Sequence, residues 1–260
     1  MKTETLNEQV QDYWEGGNGY GPCGTDPEIV GDNEQFSKEW FEAVENHRYE
    51  VEPFIHSIAQ FTRYKGKRVL EIGVGAGTDH LQRARVGADL YGVDLTDVGI
   101  LTTGKRLETY GLSSKLQRID AEILPFEDEY FDVVYSWGVI HHSEFPENII
   151  KEIRRILKPS GQFIGMLYQR PSLTTFRVWL KHGLFKGKPF RSFRDVLYNH
   201  VESIGTKAYT QDEVRTLYSA FQNGKITPLL TIGDTHKLPK WFVNVLPNSL
   251  GWFLGIRATR

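Results

Sequence analysis

The chain has 260 residues, 40% of them hydrophobic and 25% charged, a globular composition and enough length for one large domain or a domain with a lid. No apolar run reaches the length of a membrane span, and the polar start Met1–Gln11 lacks the apolar core of a signal peptide. One cysteine, Cys23, excludes an intrachain disulfide or a multi-cysteine metal site, and the expectation is a cytoplasmic protein. The net charge of −2 is unevenly spread. Residues 1–60 hold three Lys/Arg against 13 Asp/Glu, residues 61–150 hold 10 against 14, and residues 151–260 hold 18 against six. Such a split suggests an acidic flap against a basic region, or an anionic partner. A solvated basic face accounts for it equally well.

In chain order, the first stretch reads as helical. Leu6, Val10, Tyr13 and Trp14 fit one stripe, and Val51, Phe54, Ile55 and Ile58 fit another. Between them Gly16–Gly24 is too rich in glycine for regular structure, and reads as a loop able to close over a ligand or as a plain linker. From Lys67 to Leu167 strands and helices alternate. The strands are Arg68–Ile72, Asp89–Val93, Lys115–Ile119, Phe131–Ser136 and Gln162–Leu167, and the helices Asp79–Val86, Asp97–Tyr110 and Pro146–Leu157. Lys158-Pro159-Ser160-Gly161 is a stop-and-turn signal. This alternation predicts an α/β protein with a parallel sheet wrapped on both faces, binding its ligand beyond the carboxyl ends of the strands. Residues 170–205 form a basic, aromatic insertion. A helix over Gln211–Phe221 follows, then strands Lys225–Thr231 and Trp252–Thr259 joined by the apolar connection Leu238–Gly251.

The first strand runs into Gly73, Gly75 and Gly77, a turn stripped of side chains where backbone approaches a nucleotide-like ligand. A dinucleotide fold wants its third glycine where Thr78 stands, and an acidic Glu71 before the turn suits an ammonium better than a pyrophosphate. Asp94, 21 residues after Gly73, can accept ribose hydroxyls of either cofactor. Asp120-Ala121-Glu122, after the third strand, can receive the amino group of adenine, and no Tyr-x-x-x-Lys hydride-transfer pair is present. Thr78 and Asp79 stand either as a helix cap or against the ligand.

The segments VLEIGVGAGTD, YGVDL, DAEILPFEDEYFDVVYS and EIRRILKPSG, in this order and spacing, resemble the class I S-adenosylmethionine-dependent methyltransferases, in the small-molecule branch that includes ubiquinone/menaquinone C-methyltransferases. The resemblance is close over Lys65–Leu167 and looser at both ends. It implies a Rossmann-like, seven-stranded, mostly parallel sheet with an antiparallel last strand. An N-terminal helical lid (residues 1–62) would precede a methyltransferase domain (63–260), with an α-helical insertion at about 170–207 after strand five. It implies S-adenosyl-L-methionine as cofactor, S-adenosyl-L-homocysteine as product, and no metal. Glu71 and the Gly73 and Gly75 backbone would hold the methionine end and Asp94 the ribose. Asp120, Ala121 and Glu122 would frame the adenine, with Ser136 and Trp137 near the sulfonium. Val74 and Leu95 stand beside these as cofactor-binding candidates, with Tyr13 and Tyr49 from the N-terminal segment.

Methyl transfer from a sulfonium needs alignment and exclusion of water, with a general base only when the acceptor loses a proton. Candidates for that base are His142, His141, Tyr168 and His200. Cys23 has no partner motif that would make it a nucleophile. The acceptor is expected to be a small, hydrophobic or aromatic metabolite, bound near the insertion. There Leu173, Phe176, Leu180 and Leu184 form an apolar stripe with Trp179, Arg177 and Lys181 beside it. That stripe suits a lid helix, a second subunit in a homo-oligomer, or a membrane surface, so a membrane-associated enzyme acting on a lipid or quinone precursor is the first alternative. A non-catalytic S-adenosylmethionine-binding regulatory subunit is the second. Nucleic acid is disfavoured, because no RNA-binding module accompanies the basic run.

Overall fold

Seven strands form one sheet in the order β3-β2-β1-β4-β5-β7-β6, seen in a computed structural model that describes residues 4–17, 23, 25–236 and 238–260. The strands are β1 (Arg68–Ile72), β2 (Asp89–Asp94), β3 (Lys115–Arg118), β4 (Phe131–Trp137), β5 (Leu157–Tyr168), β6 (Gln222–Leu229) and β7 (Phe253–Thr259). The first five pair in parallel, and β7 runs antiparallel to both β5 and β6. Chain order reverses between β1 and β4, so a crevice opens beyond their carboxyl ends.

The helices are α1 (Leu6–Asp12), α2 (Pro27–Val30), α3 (Lys38–Val51), α4 (Ile55–Ala59), α5 (Thr78–Arg85), α6 (Asp97–Thr109), α7 (Pro146–Ile156), α8 (Leu173–His182), α9 (Phe193–His200), α10 (Gln211–Leu217), α11 (Ile232–Thr235) and α12 (Lys240–Val243). Two cores sandwich the sheet. On one face α7 lays down Ile149, Ile150, Ile153 and Ile156, all buried, beside Val214, Tyr218 and Phe221. On the other, Ile55, Ala59, Leu81, Ala84 and Leu107 from α4, α5 and α6 meet Val69, Val133 and Ile164 of the strands. Spacings of three and four put each set on one helical stripe, and each fully buried aliphatic side chain contributes about 1.5–3 kcal/mol. Proline at the first helical position starts α7, where a missing N–H costs nothing.

Three expectations are corrected. The Val51–Ile58 stripe is not one helix: α3 ends at Val51, and Glu52 before Pro53 takes a non-helical φ of −129° and ψ of 57°. Strand five, expected from Gln162, begins at Leu157, directly after α7 stops at Ile156 ahead of the Lys158–Gly161 signal. Leu157 already pairs with Phe131, and the turn residues, with Ser160 at φ 64°, become a register shift at the start of β5. The helix from Gln211 stops at Leu217 rather than Phe221, although Tyr218 and Phe221 still fill the core. The residues of the glycine-rich loop at 18–22 and 24, including Tyr20 and Pro22, lie outside the described residues. Among the described residues no helix is long and apolar enough to cross a membrane.

Candidate active site

A cavity of about 640 Å³ occupies the crevice beyond β1, β2 and β4. Its floor is the glycine turn. Gly73 has φ 78°, and a Cβ there would sit 2.1 Å from a Val139 methyl group, so no other residue fits without moving the loop after β4. Gly75 has φ 49° and open space where a Cβ would be. Its N–H donates to Asp94 Oδ2 at 2.9 Å, which locks the turn to the end of β2. Asp94 Oδ1 accepts from the Thr96 amide at 3.0 Å and hydroxyl at 2.6 Å. A carboxylate offers about four acceptor positions, so at least one remains for a ligand hydroxyl. Burial pushes the Asp94 carboxyl above the usual range, against the pull of these donors.

At the end of β1, Glu71 is buried, with Oε2 3.1 Å from His80 Nδ1 and 3.2 Å from Arg83 Nη1. Its charge is therefore already countered by Arg83, whose guanidinium lies 3.7 Å over the Tyr135 ring. Asp79 does not cap α5, whose first turn follows Gly77 with no side-chain cap. Instead it accepts from Arg48 at 3.2 Å, Tyr49 at 3.1 Å and Tyr135 at 2.6 Å. Burial raises its pKa, but Arg48, Arg83 and these hydroxyls outweigh burial and hold the carboxyl below its ordinary range. Arg48 also reaches Glu52 at 3.3 Å, and both line the cavity.

Beyond the end of β3, Asp120 and Ala121 line the cavity. The donor their loop receives is a protein group: Asn7 Nδ2 gives to Asp120 Oδ2 at 2.9 Å and to Glu122 Oε1 at 2.8 Å, while Asn7 Oδ1 accepts from the Glu144 amide at 2.8 Å. Helix α1 is thus fastened across this end. Glu15, just beyond it, accepts from the Asp97 and Val98 amides at the start of α6, where a carboxylate complements the helix dipole.

The opposite end is lined by Trp137, Met166, Tyr168, Phe253, His142, Glu52 and Glu202. His142 Nδ1 lies 2.9 Å from the Ser203 hydroxyl and 3.1 Å from that of Thr206, which itself donates to Ser203 O at 2.7 Å. These contacts orient the ring so that Nε2 faces Glu202 Oε2, 3.1 Å away. Tyr168 donates to the same carboxylate at 2.9 Å. Glu202 has a left-handed φ of 51°, an uncommon conformation for a glutamate, and stands at the cavity wall. His141, His142 and Glu202 bring three ligand-type atoms within 4.8 Å of one another, a cluster that the expectation of no metal did not foresee.

Of the candidates named from sequence, Glu71, Gly73, Val74, Gly75, Thr78, Asp79, Asp94, Leu95, Asp120, Ala121, Trp137, His142 and Tyr168 converge on this one cavity. Six do not line it. Ser136 is fully buried behind Trp137, and Glu122 is tied to Asn7, Ser143 and the Phe145 amide. Tyr49 acts behind Asp79, and Tyr13 packs edge-on against Trp14, which itself lines the cavity. His141 is fully buried with its ring 3.9 Å from Tyr168. His200 stacks on His182 in the insertion at 4.1 Å. Burial pushes the Cys23 thiol up to about 12, so it stays protonated and is no nucleophile. Asn7, Glu52, Glu202 and Phe253 were not anticipated. Asn7 and Glu202 sit in segments without a motif, and their partners are more than 30 residues away in sequence.

Residues 70–165 match the family described as a methyltransferase domain. The chain is 30% identical over 161 residues to a ubiquinone biosynthesis O-methyltransferase of Roseobacter denitrificans, covering 58% of this chain and 64% of that one. It is 39% identical over 109 residues to a phthiotriol/phenolphthiotriol dimycocerosates methyltransferase of Mycobacterium leprae, covering 41% of this chain and 39% of that one. It therefore spans less than two thirds of either relative's length. Magnesium protoporphyrin IX methyltransferase from Synechocystis, solved with bound S-adenosylhomocysteine, shares the fold. Its TM-score is 0.60 at 16% identity, over 96% of this chain and 98% of that one.

Proposed function

We propose that the whole chain, whose residues 70–165 match a methyltransferase domain family, binds S-adenosylmethionine and transfers its methyl group to a small, apolar or aromatic acceptor. The observation that carries this reading is the single cavity uniting the glycine turn, Asp94 and the Asp120–Ala121 loop at one end with an aromatic chamber at the other. The cofactor fits the groups present. Gly75 leaves the open space that a close backbone approach needs, and Asp94 keeps an acceptor position for a ribose hydroxyl. When bound, S-adenosylmethionine supplies an electrophilic methyl on a sulfonium. The chain's part is to align the acceptor and exclude water.

In this reading residues 1–62 act as the lid over the methyltransferase domain, since Asn7, Trp14, Thr25, Arg48 and Glu52 all face the cavity. Trp137, Met166 and Phe253 hold the acceptor. His142, kept in one orientation by Ser203 and Thr206, takes the proton of a phenol or an enolisable carbon at Nε2, and Glu202 steadies the resulting imidazolium. Cytoplasmic residence belongs to the same proposal, supported by the sparing use of cysteine.

Methyl-labelled S-adenosylmethionine incubated with apolar phenols and enolisable lipids tests the reading. Label is expected in the organic extract with the wild type and to fall roughly 100-fold with His142→Ala. Cofactor binding without transfer to any acceptor, or transfer only with a second protein present, would favour a non-catalytic subunit instead.

A further inference from the structure

The insertion ends in a tip that nothing in the methyl-transfer reading uses. Between α8 and α9 the residues Leu184-Phe185-Lys186-Gly187-Lys188-Pro189-Phe190 are all exposed, Phe185 at 76% and Phe190 at 99%. This is not slack chain. The Gly187 amide donates to Leu184 O at 3.0 Å, Lys188 to Gly183 O at 2.9 Å, and Arg191 to Lys188 O at 3.2 Å. Trp179 Nε1 donates to Arg191 O at 2.9 Å, and the Trp179 ring packs against Phe176 and Phe193. The tip therefore holds two phenyl rings and a leucine out in water on an ordered hairpin. The sequence stripe of Leu173, Phe176, Leu180 and Leu184 is not that surface, because Leu173 and Leu180 are half-buried.

The charges left without an ion-pair partner around the tip, among the described residues, are cationic. Lys181, Lys186 and Lys188 are exposed and have no carboxylate partner among the described residues, whereas Arg191 and Arg194 are neutralised by Asp195 and Glu213. Apolar rings alternating with unpaired ammonium groups on a projecting tip match an anionic lipid surface. There rings enter the acyl boundary while lysines remain at the headgroups. A groove for a partner helix would instead be concave, and a protein interface of ordinary kind is poor in lysine.

We propose that Leu184–Phe190 docks the enzyme on an anionic bilayer. Helix α9 runs from this tip and ends two residues before Glu202, at the acceptor end of the cavity. Eight helical residues span about 12 Å, so docking would set that end close to a lipid-borne acceptor. This consequence rests on the methyltransferase reading; the docking itself does not.

Flotation of the full chain with phosphatidylcholine vesicles, with and without phosphatidylglycerol, tests it. The wild type is expected to float only with the anionic vesicles and to lose most of its binding at high salt. Phe185→Ser with Phe190→Ser should reduce partitioning by roughly tenfold or more. Lys181→Gln, Lys186→Gln and Lys188→Gln together should remove the preference for phosphatidylglycerol. Each variant should keep wild-type cofactor affinity and cooperative unfolding, since none of these residues lines the cavity. No flotation, or flotation indifferent to the phenylalanines, overturns the proposal. So does a wild-type dimer that the phenylalanine variant splits in light scattering, which would make the tip a contact between two copies. Intact cofactor binding without flotation sinks docking alone, and flotation without cofactor binding sinks the methyltransferase reading alone.

Discussion

His141 and His142 are neighbours in sequence with opposite surroundings. His141 is fully buried, no hydrogen-bond partner among the described residues meets either ring nitrogen, and burial holds its pKa well below the ordinary value, with His142 and Lys207 adding to the effect. The folded state therefore keeps it neutral while the unfolded chain protonates it near pH 6.5. Above that pH it costs nothing. Below it the unfolded state binds the extra proton, and stability falls by about 1.4 kcal/mol per pH unit. We expect thermal unfolding of the wild type to drop more steeply from pH 7.5 to 5.5 than that of His141→Phe; parallel curves would contradict the assignment. His142 is held by Ser203 and Thr206 and faced by Glu202, so Glu202→Gln should lower kcat roughly tenfold or more and shift the acid limb of its pH profile, with cofactor affinity unchanged. A pure stability effect would leave the pH profile in place. At this scale the sequence was legible where local spacing dictates geometry, as at Gly73, Gly75 and Asp94. It was silent at Glu202, which reaches His142 only because α9 returns the chain to the cavity.

At the scale of elements, the strands and helices around the turn begin and end within a residue or two of their expected limits, because each carries its own stop. Pro146 opens α7, and the glycines close β1. Boundaries were lost where a local signal met a stronger tertiary demand. The Lys158–Gly161 turn is drawn into β5 because Leu157 and Phe131 must both be buried. Nor could the position of α1 be read, since its stripe says that it packs but not on what. It is pinned through Asn7 to Asp120 and Glu122, the acceptors first assigned to the adenine amino group. In the proposed binding mode an incoming adenine would compete with that carboxamide. Asn7→Ala is thus expected to raise both association and dissociation rates of S-adenosylmethionine in stopped-flow measurements. An unchanged dissociation rate would show that α1 is not a lid.

For the molecule as a whole, the charge asymmetry seen in the sequence resolves into two separate arrangements rather than one acidic flap against a basic face. Glu45 of the acidic N-terminal part pairs with Arg85 of α5 and the fully buried Arg106 of α6, joining the first helices to the sheet's cover. The basic surplus stays outward on the α8–α9 hairpin, where three lysines remain unpaired among the described residues. The sheet order places Glu71, Asp94 and Trp137, from three different strands, around one crevice. The proposed methyl transfer requires that crevice to be an S-adenosylmethionine site. Calorimetric titration of the wild type and of Asp94→Ala with S-adenosylmethionine, alongside a nicotinamide dinucleotide, tests this most directly. We expect one-site binding of S-adenosylmethionine to the wild type, roughly 10- to 100-fold weaker binding to Asp94→Ala, and no heat from the dinucleotide. A wild type that ignores S-adenosylmethionine, or binds the dinucleotide in its place, would contradict it.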